Sequence, residues 1–197
     1  MPVVNFRPFI LLAFVMALVV AASNYLVQFP FGFFGLEEFL TYGAFSYPVT
    51  FLITDLCNRK YGKILARKIV YVGFISGISL TLFFSTNFSD LISVRIAVGS
   101  GTAFLAAQLL DIQIFDKLRK KIWFLAPFAS SSIGSVIDTF LFFSISFYGT
   151  GLNWATLALG DFSVKIFMAL LMLIPFRIFM GILKDSAHKY SAKTSSA

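Results

Sequence analysis

The chain has 197 residues, is 58% hydrophobic and only 13% charged, and carries 26 phenylalanines. No water-soluble domain hides that much apolar surface, so lipid must cover part of it. The formal charge of +7 does not point to nucleic acid, because the basic residues gather in loops between apolar stretches. A single cysteine (Cys57) and a single histidine (His188) exclude a disulfide framework and leave little for a metal site.

Six apolar stretches follow in order, at about 9–28, 39–58, 66–86, 91–115, 122–147 and 154–180. Each reaches the roughly 20 helical residues needed to cross a bilayer core. The first contains Val20-Ala21-Ala22, which looks like a signal-peptidase site, but five further spans follow and the apolar run continues to Phe29. It is therefore read as a span. All basic residues except Arg95 and Lys165 fall at the N-terminal end, between spans two and three, between spans four and five, or after span six. The opposite loops hold Glu37, Glu38 and Asp90 and no lysine or arginine. By the positive-inside rule both termini are cytoplasmic.

The expected fold is all-α, a polytopic membrane bundle of six transmembrane helices. Residues 1–183 form one membrane domain, and 184–197 read as a disordered cytoplasmic tail. No GxxxxGK[ST] motif is present and no loop could house a nucleotide-binding domain, so any energy must come from an ion gradient, from trapping of the solute, or from a separate subunit. H-E-x-x-H and GxSxG are also absent. The chain is read as a non-enzymatic carrier with no cofactor.

Span two carries Gly43, Tyr47, Thr50, Thr54 and Asn58 at helical spacing, interrupted by Pro48. This is either a broken helix lining a site or a kink whose threonines bond back to their own backbone. Asp55 has Arg59 one turn on, and that pair is expected to fasten the helix end to the basic loop. In span four, Gln108 and Asp111 share a face; they suit the edge of a heterocycle or a bond between helices. Arg95, about one turn inside the outer end, is expected to snorkel outward.

Span five places Pro127, Ser131, Gly134 and Asp138 on one face, flanked by further serines that suit close packing. A charge at bilayer depth costs about 3 kcal/mol even on lenient scales, and Asp138 has no basic residue within four positions. Its partner must be another helix, a ligand or a proton. Span six supplies Asp161 and Lys165, which could cancel internally or send Lys165 across to Asp138.

Three blocks carry a family resemblance: LTYGAFSYPVTFLITDLCNRKYGKILARKIV (40–70), AAQLLDIQIFDKLRK (106–120) and ASSSIGSVIDTFLFFSISFYG (129–149). They resemble the VUT family of membrane proteins, also called queuosine-precursor transporters. The resemblance implies uptake of 7-cyano- or 7-aminomethyl-7-deazaguanine across the bacterial cytoplasmic membrane, for modification of transfer RNA. It carries over onto Tyr47, Pro48, Thr50, Asp55, Asn58, Arg59, Gln108, Asp111, Ser131 and Asp138. Expected substrate contacts are Asp138, Asp111, Gln108, Tyr47, Thr50, Asn58, Ser131 and Lys165; Pro48, Asp55, Arg59 and Asp161 are expected to be structural or gating. Stacking aromatics are sought among Phe104, Phe140 and Tyr47. The alternatives are a carrier of another small heterocycle, or the substrate-binding subunit of an energy-coupling-factor vitamin transporter with an energising partner. Oligomeric state is left open.

Overall fold

A computed structural model describes residues 6–26, 29–33, 35, 40–85 and 88–194. Seven α-helices are found among them: α1 (Phe6–Leu26), α2 (Gly43–Ser46), α3 (Pro48–Tyr61), α4 (Lys63–Leu80), α5 (Leu91–Leu118), α6 (Leu125–Phe147) and α7 (Trp154–Thr194). No strand occurs among the described residues, only an isolated bridge between Pro30 and Thr41. Four helices are long and apolar enough to cross a membrane, namely α4 with its extension, α5, α6 and α7; within α1 the apolar helix is shorter. The backbone of α7 is helical to Thr194, past residue 183 where the membrane domain was expected to end. Glu37, Glu38 and residues 195–197, and the side chains after Ile182, lie outside the described residues.

The second expected span is divided into α2 and α3. Pro48 has no N–H to return to the preceding turn, and the Tyr47 N–H bonds Gly43 O at 3.0 Å while Thr50 N–H bonds Tyr47 O at 2.9 Å. α3 is the central helix, touching α1, α4, α5, α6 and α7. Its neighbours shield it from lipid, so Thr50, Thr54, Asp55 and Asn58 can all be buried against protein. Close approach to α6 depends on Gly134, where a Cβ would come within 2.8 Å of the Phe51 ring and 3.4 Å of Ala107 O. The chain reverses from α3 into α4 at Gly62, whose φ of +87° suits glycine.

Around this centre α5 and α6 form a hairpin and α1 packs on α4, with Met16, Ile53, Ile69, Val70 and Ile112 in the shared core. The outer faces present Phe14, Leu18, Ile75, Phe140, Phe167 and Ile174, as lipid-facing helices should. A polar clasp closes one end of the bundle. Asp116 pairs with Lys63 (3.1 Å) and Arg119 (3.3 Å), and the Arg119 guanidinium donates to Arg59 O at 2.9 Å. Arg59 returns the bond to Arg119 O. The opposite end of α5 is capped by Asp90, which accepts from Ile92 N and Ser93 N at 3.1 Å. Near that end lies Arg95, which reaches the C-terminal end of α6. Its guanidinium donates to Ile145 O (2.9 Å) and Tyr148 O (2.8 Å), because the last carbonyls of α6 lack helical partners and carry the negative end of its dipole.

Candidate functional site

A cavity of about 250 Å³ lies between α1, α2, α5, α6, α7 and the π-helical turn Thr81–Ser85 that extends α4. One wall is a run of small side chains on α5, Ser93, Ala97, Ser100 and Ala103, descending from the Asp90 cap. At 1.5 Å per residue that run is about 15 Å long. The cavity therefore begins at the end of the bundle opposite the basic clasp and stops near mid-helix. Tyr47, Asp138, Asp161 and Lys165 form its charged floor, and Phe142 stands one turn from Asp138.

On that floor every Lys165 donor has an acceptor. The ammonium lies 2.7 Å from Asp138 Oδ2, 2.5 Å from Asp161 Oδ2 and 3.2 Å from Thr139 Oγ1. Tyr47 OH donates to Asp138 Oδ1 at 3.0 Å, Thr139 donates to Asp161 Oδ2 at 2.9 Å, and the ammonium stands 5.5 Å from the Tyr47 ring centroid. Of the two pairings open to Lys165, internal and cross-helix, both are made. The Asp138 and Lys165 side chains are about 5% exposed, against 17% for Asp161. Two carboxylates facing one ammonium leave this floor with a surplus negative charge.

Below the floor, Gln108 joins α5 to α3. Its amide donates to Thr50 Oγ1 at 2.8 Å and accepts from Thr54 Oγ1 at 2.7 Å, while Thr50 passes its own proton to Tyr47 O at 2.7 Å. Threonines bonding back to the broken helix and an amide bonding a neighbour thus coexist. Asn58 extends the seam by donating to Ile112 O at 3.0 Å. Thr50, Asn58 and Gln108 are fully buried and stand away from the cavity wall. Gln108→Leu is accordingly expected to lower the melting temperature, because it removes two buried side-chain hydrogen bonds worth about 0.5–1.5 kcal/mol each. The same variant is expected to keep cargo affinity within about threefold, which is under 1 kcal/mol; parallel thermal and binding titrations in detergent check both.

Asp55 does not take the expected partner. Arg59 is turned to Arg119 O in the clasp, and Asp55 faces α5 and α6 instead. Ser130 and Ser131 donate to it at 3.4 and 3.5 Å, and its carboxyl neighbours that of Asp111. The carbonyl of Arg119 outcompetes it because the clasp satisfies two loop ends together.

Of the expected site residues, the cavity brings together Tyr47, Asp138, Lys165 and Asp161. Asp111, Ser131 and Asp55 gather in a second, deeper cluster. Pro48 sets the break that lets Tyr47 face the cavity. Among the aromatics sought for stacking, Phe140 is 60% exposed on the outer face and Phe104 is in the core, whereas Phe142 lines the cavity. Phe142 lies four residues from Asp138, so helical spacing alone could have found it. The Ser93–Ala97–Ser100 wall carried a similar signal, small residues at intervals of four and three.

A helical bundle with lipid-facing apolar sides and a mostly apolar chamber ending on buried charges is a multi-pass membrane protein built to receive a small solute. The family whose model is described as "Putative vitamin uptake transporter" matches residues 41–180, and the chain belongs to that family. Similar proteins include the "Probable queuosine precursor transporter" of Haemophilus influenzae, 35% identical over 86% of this chain and 84% of that one. The "Queuosine precursor transporter" of Escherichia coli is also 35% identical, over 80% and 79% of the two chains. The "Probable queuosine precursor transporter" of Bacillus subtilis is 31% identical over 59% of each. No solved structure matches the chain.

Proposed function

We propose that this protein imports a queuosine precursor, a 7-deazaguanine base, across the bacterial cytoplasmic membrane. The observation that carries the reading is the cavity floor of Tyr47, Asp138, Asp161 and Lys165, joined to relatives whose names state this cargo. A guanine-like ring offers N1–H and a 2-amino group side by side, and one carboxylate can accept from both. Asp161, the more exposed of the two acids, is suited to that edge, while Asp138 holds Tyr47 and Lys165 in position. Lys165 can exchange its Thr139 contact for the ring carbonyl, and Tyr47 and Phe142 supply aromatic faces. The surplus negative charge suits the 7-aminomethyl form, whose ammonium it would attract.

On this reading the chain crosses the membrane six times, α2 and α3 together making one crossing, with both termini cytoplasmic. The Lys63–Asp116–Arg119 clasp then faces the cytoplasm by the positive-inside rule, and the cavity opens outward. The reading is tested in bacteria that cannot make the precursor and lack their own importer. Expressing this chain and supplying either deazaguanine at low concentration is expected to restore queuosine in transfer RNA. No restoration, with the protein present in the membrane, overturns import by this chain alone and favours the need for an energising partner or another solute.

A further inference from the structure

We propose that Asp55 and Asp111 form a proton-binding site, and that the proton it holds is the ion coupled to import. The two carboxyls, from α3 and α5, are neighbours in the bundle interior, where both side chains are buried. The acceptors here outnumber the donors. Ser130 and Ser131 offer one hydroxyl each, at 3.4 and 3.5 Å from Asp55, whereas both Asp111 oxygens and the Oδ1 of fully buried Asn58 have no donor at all. Asn58 lies one turn beyond Asp55, and its Nδ2 bonds the carbonyl of Ile112, the residue after Asp111. What such a cluster lacks is a proton or a small cation. Among the described residues no third carboxylate, histidine or cysteine joins the two to hold a metal ion, so a proton is the better fit. Two neighbouring carboxylates in a dry interior do not both keep their charge.

Among the described residues no cation forms an ion pair with either acid. α6 contributes only serines, and α1 and α4 contribute apolar side chains around Cys57 in the core. Arg59, on the same helix, is turned away to Arg119 O. From α7 comes Lys165, across a void of about 10 Å³, the size of one water, whose mostly apolar lining includes Asp55, Ser131, Ser135 and Lys165. Lys165 thus borders both the cargo cavity and the void beside the acid pair. Drawing its charge toward cargo changes the potential at Asp55, which is how loading the cavity would shift the proton.

Two measurements test this, the second resting on the deazaguanine reading. Infrared spectroscopy of the full chain in lipid at neutral pH, without cargo, is expected to show a protonated-carboxyl band that is lost in the double variant Asp55→Asn/Asp111→Asn. An absent or unchanged band overturns the site. In proteoliposomes with an alkaline interior, labelled 7-aminomethyl-7-deazaguanine is expected to accumulate at least tenfold and to acidify an internal dye. Asp111→Asn is expected to bind the same compound within about threefold of wild type, under 1 kcal/mol, yet lose both accumulation and acidification. Asp55→Asn serves if that variant does not fold. Accumulation driven by sodium alone, or undiminished in both variants, overturns proton coupling. A protein that shows the band but binds neither deazaguanine refutes the cargo reading and leaves the proton site standing.

Discussion

Asp138→Asn is expected to lower uptake of labelled deazaguanine by at least about 100-fold, equivalent to about 2.7 kcal/mol, while the protein still inserts and purifies as a monodisperse species. The carboxylate accepts from Tyr47 through one oxygen and from Lys165 through the other. An asparagine of the same shape keeps one acceptor and turns the other into a donor, which opposes either the tyrosine hydroxyl or the ammonium. The cavity wall is thereby rearranged at the residues that meet the cargo. Packing is little altered, because Asp161 still lies 2.5 Å from the ammonium and compensates its charge. Whole-cell uptake normalised to membrane content checks the result. Transport near the wild-type rate from a well-folded variant would remove Asp138 from the site and leave family membership untouched.

Lys165→Met is expected to act on the fold itself. It leaves Asp138 and Asp161 facing each other with no cation, and truncating one partner of a buried ion pair costs about 3–5 kcal/mol. Melting in detergent should drop sharply and the amount of protein in the membrane should fall. The double variant Asp138→Asn/Lys165→Met removes both the ammonium and the more deeply buried of the two carboxylates. It is expected to recover much of the lost melting temperature while remaining inactive in uptake. If the single variant melts like wild type, the ion triad contributes nothing to stability and the compensation drawn between its members is wrong.

These expectations concern residues that the sequence exposes unevenly. The all-helical membrane class follows from composition and from six apolar stretches, because hydrocarbon tolerates only backbones that satisfy themselves. Asp138 and Lys165 stand out for the same reason: a charge in an apolar run is costly wherever the helix is placed. Pro48 marks a break by covalent chemistry, since it has no N–H in any fold. Asp55 was harder. Arg59 is its neighbour by spacing, but a one-turn pair is worth only a few tenths of a kcal/mol, and the clasp that draws Arg59 to Arg119 O joins residues sixty positions apart. Phe140 and Phe142 look equivalent in composition, and two residues of helical rotation send the first to lipid and the second to the cavity.

Which side chains had to be buried or bathed in lipid, and which charges needed partners, is legible along the chain. Those properties belong to single side chains and to the period of the helix. Which partner each charge took was decided by the tertiary structure. Lys165 reaches Asp138 across twenty-seven positions, Gln108 reaches Thr50 across fifty-eight, and Asp55 meets Asp111 instead of the arginine one turn away. Each pairing arises from packing α3 at the centre of the bundle, where the low-dielectric surroundings make an unmatched polar group far more costly than the same group at the surface. Helical spacing constrains neighbours within a turn or two, but it has no reach across the bundle.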